Sequence, residues 1–263
     1  MTGAEARERI RGKDHGGPTS ALAPGYVQAN LVALPAADAA EFRLLCARNP
    51  VACPLLDEIP AGCVESAWAA GSDLRVDLPA YRVWRDGKLV ERLDDAREVW
   101  RDDLVAFLIG CSFTFEWALT AAGLPPRHAA LGTTVPMYAT NVPLAPANRL
   151  RGHMVVSMRP YAAADVERVR AITRPYVLAH GEPFAWGDPG QLGIADLARP
   201  DEGDPVPLDS GEVPVFWGCG VTPQVVAVES RLPYVITHEP GRMFVTDRRH
   251  EELTRRGSGS FSG

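Results

Sequence analysis

The chain has 263 residues, 46% hydrophobic and 23% charged, the balance of an ordinary globular protein long enough to bury a substantial core. Its 27 basic and 33 acidic side chains leave a net charge of -6 without blocks of one sign, which excludes the clustered Lys/Arg footprint of a nucleic-acid binder. No apolar run reaches membrane-spanning length, and five cysteines at wide spacing, with no CxxC pair, exclude a disulfide scaffold and a structural zinc site.

The first stretch, "MTGAEARERIRGKDHGGPTS", lacks the apolar core of a signal peptide. Residues 1–20 therefore read as a charged, disordered lead-in, with the cytoplasm as the expected compartment. Residues 38–49 form a predicted helix, with Asp38 as N-cap and Pro50 behind it. Residues 80–91 alternate around Asp86-Gly87, the pattern of a β-hairpin with a tight turn. Residues 96–109 place Val99, Trp100, Leu104, Phe107 and Leu108 on one helical face, which predicts a helix, and a second helix follows over 113–122 up to Gly123. "HMVVSMRP" reads as a buried strand before a helix around Ala163–Ile172. "VPVFWGCGVTPQVVAVESRLPYVITH" reads as strand, glycine turn, helix and strand. Between them, "AHGEPFAWGDPGQLGIADLARPDEGD" is a loop whose tryptophan and leucines favour order. Strands alternating with helices predict an α/β or mixed α+β fold, a mixed sheet with flanking helices. Residues 21–250 form one domain, with a division into lobes 21–130 and 131–250 left open, and 251–263 read as a flexible tail.

Several blocks occur in one order: "GYVQANLVALP", "CPLLD", "WRDDLVAFLIGCSFTFEWAL", "VPMYATN", "MVVSMRP", "HGEPFAWGDP" with "GIADL", "VPVFWGCGVTPQ" and "ITHEPGRMFVTD". Together they resemble a family of bacterial hydro-lyases related to part of the mitochondrial D-glutamate cyclase. The resemblance spans about Gly25 to Asp247 and implies a mixed α/β fold with a lyase or cyclase activity. Ala185 and Arg242 stand where the family pattern often has histidine.

Candidate chemistry gathers in the same blocks. The glycines of Gly218-Cys219-Gly220 permit positive φ and close approach, and Thr222 and Pro223 suit an N-cap and a first helical residue. The N–H groups of Gly220, Val221 and Thr222 would then favour an anion or a developing oxyanion, and would stabilise a Cys219 thiolate. Cys111, Ser112 and Glu116 sit at another helix start, where Ser112 suits a cap. Tyr138, Asn141 and Arg159 are the substrate holders, Arg159 as a two-pronged clamp on a carboxylate. His180, His238 and Asp188 are the acid–base candidates, with Glu116 and Cys219 beside them. Asp201 and Asp204 with Asp188 raise an oxygen-rich divalent-cation site, but their spacing matches no defined loop, so no metal or other cofactor is expected. Gln28 and Asn30 are polar positions in an apolar run, there to bond buried backbone or to reach a pocket.

The reading is an enzyme that adds or eliminates water on a small carboxylate-bearing or amino-acid-like substrate, with lactam closure or opening within its reach. The alternatives are a Cys219-dependent acyl transfer or amide hydrolysis, and a non-catalytic small-molecule binder. The expected partners are the small-molecule substrate and a second copy of the chain, with no nucleic acid and no membrane.

Overall fold

The computed structural model describes residues 1–255. Thr2 and Glu5 form a capping box that starts α1 (Gly3–Arg11). β1 (Tyr26–Pro35) leads into α2 (Ala36–Arg48), followed by β2 (Leu55–Ile59) and the hairpin of β3 (Tyr81–Arg85) and β4 (Lys88–Leu93). Asp86 and Gly87 both have positive φ, as a two-residue hairpin turn requires. Then come β5 (Leu104–Gly110), α3 (Phe113–Ala121), α4 (Arg127–Leu131), β6 (Met137–Pro143), β7 (His153–Ala162) and α5 (Val166–Thr173). The chain closes with β8 (Ala185–Trp186), β9 (Glu212–Gly218), α6 (Thr222–Glu229), β10 (Val235–His238), β11 (Phe244–Arg249) and α7 (Glu251–Arg255).

The fold is mixed α/β, with two sheets. The larger runs β2-β5-β1-β10-β3-β4, with β11 also on β1, and the smaller runs β6-β7-β9-β8. The ladders among the described residues are antiparallel, so the strand–turn–helix units do not build a parallel sheet. One core is shared by α2 and both sheets: Val32, Leu34, Phe107 and Ile109 meet Met154, Val156, Met158 and Phe216. Leu31, Ala33, Leu104, Ala106 and Leu108 fill the opposite face of the large sheet.

That two-sided burial corrects the helix expected over 96–109. Leu104–Gly110 is a strand buried along its whole length, with alternate residues in two different cores. A strand apolar on both faces has no polar alternation to announce it, so the helical spacing of its side chains was fortuitous. Asp38 lies in the first turn of α2 and pairs with Arg149, while Pro35 holds the cap position. The lead-in is also ordered. Arg7 is buried and reaches the Val245 carbonyl at 2.8 Å and the Asp247 carboxylate at 2.9 Å, while Arg11 pairs with the buried Asp77. The charges that read as disorder are its anchors. At the other end, 251–255 is helical, and the rest of the expected tail lies outside the described residues.

The two halves repeat one design. Gly110-Cys111-Ser112-Phe113-Thr114 joins β5 to α3, and Gly218-Cys219-Gly220-Val221-Thr222 joins β9 to α6. Gly110 pairs with Ala29 on β1, and Gly218 with Val156 on β7. The Thr114 hydroxyl accepts from the Gln28 N–H at 3.2 Å, and the Thr222 hydroxyl from the Val155 N–H at 3.0 Å, each one residue before that pair. The next strands match as well. Met137-Tyr138-Ala139-Thr140 lies on β7 as Met243-Phe244-Val245-Thr246 lies on β1, with Tyr138 opposite Val156 and Phe244 opposite Ala29. Thr140 donates to the Met154 carbonyl at 2.6 Å, and Thr246 to the Val27 carbonyl at 2.9 Å. The molecule has a pseudo-twofold relation, and each half's last strand completes the other half's sheet.

Glycine at the turns is dictated by this convergence. A Cβ on Gly110 would stand 1.8 Å from the Leu178 carbonyl oxygen, whereas one on Gly16 would meet nothing within 4 Å. Gly110→Ala should therefore cost about 2–3 kcal/mol, read as a fall in the urea midpoint at unchanged slope, with Gly16→Ala close to neutral. Equal midpoints for the two variants would refute the packing argument.

Candidate active site

The two Gly-Cys turns face one another across a crevice lined by Asn30, Cys111, Ser112, Phe113, Met137, Cys219, Gly220, Val221, His238 and Met243, among others. Its free volume is about 20 Å³, so it is closed around little more than a water. The symmetry-related pairs Cys111/Cys219 and Met137/Met243 form one buried apolar cluster here.

Neither Gly218 nor Gly220 has positive φ, which removes one of the two expected reasons for those glycines and leaves close approach. They serve close approach: a Cβ on Gly220 would fall 1.8 Å from the Asn30 amide nitrogen, and one on Gly218 would lie 3.0 Å from the Val51 carbonyl oxygen. Asn30 is the strut between the turns, donating to the Gly110 carbonyl at 2.9 Å and the Ile109 carbonyl at 3.2 Å. The expected caps differ too. Val221 precedes α6 and Thr222 is its first residue, tied to Val155, while the Ser112 side chain makes no capping bond.

The Ser112 hydroxyl instead accepts from Arg159 Nη2 at 2.8 Å. Arg159 is fully buried between the rings of Phe115 and Trp217, at 5.4 Å and 5.3 Å. Its Nε donates to Glu116 Oε1 at 2.9 Å and its Nη1 to Ser157 at 3.0 Å. His128 Nε2 approaches the same Glu116 oxygen at 3.2 Å. Burial alone would raise the Glu116 carboxyl, and Arg159 and His128 together hold it below its usual value. Arg159 therefore clamps a carboxylate of the protein itself, and acts on the crevice through Ser112.

His238, the last residue of β10, occupies the break between β10 and β11 on β1. In the other half the Met158 N–H donates to the Pro136 carbonyl at 3.0 Å. The matching Leu31 N–H meets His238 Nδ1 instead, at 3.3 Å, with the Leu31 carbonyl also 3.3 Å from that nitrogen. One ring has replaced one rung of the ladder. Its Nε2 is buried and has no partner, and the residue lines the crevice. Burial lowers its pKa to about 4, so the ring is neutral near pH 7.

His180 lies behind the turns. Nδ1 is 2.8 Å from the Val51 carbonyl and Nε2 is 2.9 Å from the Gly110 carbonyl, so both nitrogens face backbone acceptors and the neutral ring donates to one of them. Burial lowers its pKa to about 4 against the pull of those carbonyls. It braces the first turn and is not among the crevice-lining residues. Burial also raises both turn thiols, Cys219 to about 11, although the Phe113 and Val221 N–H groups oppose it at Cys111 and Cys219 respectively. A thiol so placed is protonated at neutral pH, which removes the resting thiolate that covalent chemistry needs.

The remaining expected residues stand elsewhere. Tyr138 donates to the Leu197 carbonyl at 2.8 Å, Asn141 is exposed against Gly193, and Asp188 is exposed and caps its own turn at the Gly190 N–H. Asp201 and Asp204 accept from the Ala139 and Thr134 N–H groups. Among the described residues no three His, Cys, Asp or Glu side chains come together as a metal set. Ala185 pairs with Phe216 on β9, and Arg242 donates to the Gly16 carbonyl, so neither departure from the family pattern lines the crevice. Sequence reasoning gave no site role to Met137, Met243, Ser157 or His128. The recurrence of Met-[Tyr/Phe]-x-Thr and Gly-Cys-x-x-Thr carried the signal for the first two.

Two outcomes follow from this burial. With Cys63 exposed and the other four cysteines buried, native protein at mildly alkaline pH should react with a thiol reagent at Cys63 alone, and all five should react after unfolding. Rapid modification of Cys219 in the native state would contradict the arrangement. His180 and His238 have folded pKa values near 4, below the unfolded value of about 6.5, so stability is full above that value and lost as pH falls from about 6.5 to about 4. Each ring should contribute on the order of 3 kcal/mol to that loss, and His238→Gln should flatten the pH dependence of the urea midpoint over this window.

Comparison with known proteins places these features in a family. The profile of the D-glutamate cyclase family matches residues 105–247, which include both Gly-Cys turns, Arg159 and His238. A "Putative hydro-lyase" of Rubrobacter xylanophilus is 56% identical over 250 residues, covering 95% of this chain and 96% of that protein. Proteins of the same designation from Streptomyces coelicolor (53% identical, 94% and 89% covered) and Pseudomonas syringae pv. tomato (55% identical, 93% and 92% covered) are similar over comparable lengths. With the profile matching more than half of the chain and these relatives matching nearly all of it, the protein belongs to the D-glutamate cyclase family of hydro-lyase-like proteins.

Proposed function

We propose that the protein is a hydro-lyase acting on a small carboxylate-bearing or amino-acid-like substrate between the two Gly-Cys turns, where the crevice, closed around little more than a water, opens to admit it. The observation that carries this reading is the buried, unpartnered Nε2 of His238 in a crevice bounded by the starts of α3 and α6. Helix starts favour the negative charge of a carboxylate and of an enolate-like or tetrahedral oxyanion. A backbone N–H and a backbone carbonyl lie equally far from His238 Nδ1, so either neutral tautomer finds a partner there. Nε2 can therefore accept a proton in one tautomer and donate one in the other. A bound carboxylate would raise the pKa of the ring toward neutrality and strengthen it as a base.

In elimination, Nε2 takes the proton from the carbon next to the substrate carboxylate. The carbon–oxygen bond on the neighbouring carbon breaks as the double bond forms. The departing hydroxide takes the Ser112 proton and leaves as water, and the imidazolium proton then restores the Ser112 hydroxyl. Ser112 suits this role because Arg159 occupies its oxygen as donor, which leaves its own proton to be given away. Addition runs the same steps in reverse. Lactam closure uses the same groups: His238 deprotonates the attacking amine, the α6 start receives the oxyanion, and the carboxyl C–O bond then breaks, its hydroxide leaving as water with the Ser112 proton, which the imidazolium restores.

Incubation in D₂O with 3-hydroxy acids, amino acids and lactams, followed by NMR, should show deuterium entering next to the carboxylate of the hydroxy acids together with turnover. His238→Gln should abolish both, and Ser112→Ala should lower kcat by roughly 100-fold at a similar KM. Cys219→Ser should retain turnover. Full activity of the His238 variant would overturn the assignment of the base, and loss on the cysteine change alone would favour covalent catalysis.

A further inference from the structure

The apolar surface of the molecule is unevenly distributed. Of the nine exposed large apolar side chains among the described residues, four (Val51, Val177, Phe184 and Trp186) line a single open hollow of about 670 Å³. A second hollow of about 250 Å³ adjoins it, sharing Pro50, Val51 and Phe184 as walls. Trp186 sits on β8, the two-residue edge strand of the small sheet, and Phe184 precedes it. Projecting rings beside open hollows give one face both halves of a shape-complementary contact. Clustered exposure of this kind marks an interaction surface, whereas scattered apolar residues need no explanation.

The charges on this face say what covers it. Arg170 lies over the Trp186 ring at 4.7 Å and, with Arg174, pairs with Glu182, and all three line the larger hollow. A twofold contact places the same patch on both sides, so the patch must carry both members of each complementary pair. This one does: arginines and a glutamate at the rim, rings and hollows in the middle.

We propose that this face is the twofold interface of a homodimer, with Phe184 and Trp186 of one chain seated in the hollows of a second copy. The contact would also press on the candidate site from behind. Val51 is the residue whose carbonyl meets His180, and His180 in turn meets the Gly110 carbonyl at the first Gly-Cys turn. Dimerisation would therefore restrain the loop that backs both turns.

Sedimentation equilibrium on the full chain should show a dimer at micromolar concentration. Phe184→Glu and Trp186→Glu should each weaken it by at least ~30-fold, as expected for a central aromatic anchor. Val90→Glu, at an exposed position on β4 away from this face, should leave the dimer intact. Far-ultraviolet circular dichroism and the urea midpoint show whether each variant is folded. A reverse pair, Glu182→Arg with Arg174→Glu, keeps both signs on the patch and should dimerise, whereas Glu182→Arg alone should not. A monomeric wild-type chain, or a dimer unaffected by the Trp186 and Phe184 changes, overturns the proposal. Neither result depends on turnover, so the proposed chemistry stands or falls separately.

Discussion

Two threonine hydroxyls, those of Thr114 and Thr222, fix where each helix starts relative to the strand beside it. Each bridges a helix's first turn to a backbone N–H one residue before the strand's pairing with the turn glycine. Because both bonds are made in the same register, the two Gly-Cys turns are held in related positions, with their helix starts on opposite walls of one crevice. Asn30 sets their separation, with its amide nitrogen on the carbonyl of one turn and against the glycine of the other. Moving any of these groups by an ångström would change the walls of the crevice on both sides.

Behind the first turn, the electrostatics are costly and therefore informative. A guanidinium with no solvent exposure loses its hydration, and pairing with Glu116 recovers that loss only if the remaining donors are also satisfied. Each of its nitrogens does find an acceptor, Nη2 also at Ser112 and Nη1 at Ser157, with an aromatic ring on either side. Removing one member of such a pair typically costs 3–5 kcal/mol, because the other is left buried and uncompensated. A purely structural role would be served as well by apolar side chains of similar volume. The arrangement does something those could not: it holds the Ser112 oxygen as an acceptor at the wall of the crevice.

How much of this was legible in the sequence depends on what each residue faces. The hairpin at Asp86-Gly87, the helix at 113–122 and the strand–turn–helix at Gly218 announce themselves through turn chemistry, and they are present. Leu104–Gly110 was misread because a strand buried on both faces has no alternation. The lead-in was misread because Arg7 and Arg11 look solvated until Asp247 and Asp77 are seen beside them. Within the crevice, Cys111, Ser112, Cys219, Gly220, Val221 and His238 were reachable from motif blocks, since strand ends and glycine turns are local features. What was not reachable is pairing across the fold. That Arg159 is bound by Glu116, and that both nitrogens of His180 face carbonyls, are long-range facts with no local signature.

The repeat also separates scaffold from chemistry. Where the halves agree, the crevice is lined by thiols and thioethers, Cys111 with Cys219 and Met137 with Met243, groups that pack but hold no charge at neutral pH. At the positions nearest the crevice where they differ, the polar side chain is on one half only. Ser112 stands opposite Gly220, Arg159 is matched on β1 by Val32, and His238 takes the rung that the Pro136 carbonyl fills in the other sheet. Glu116 is matched by Gln224, whose buried Oε1 has no partner because no guanidinium reaches it. A scaffold that presents two equivalent helix starts binds negative charge without distinguishing its ends. The elimination proposed above needs one end to lose a proton and the other to lose hydroxide. The departures from symmetry would supply that polarity, with the proposed base and proton donor on different halves.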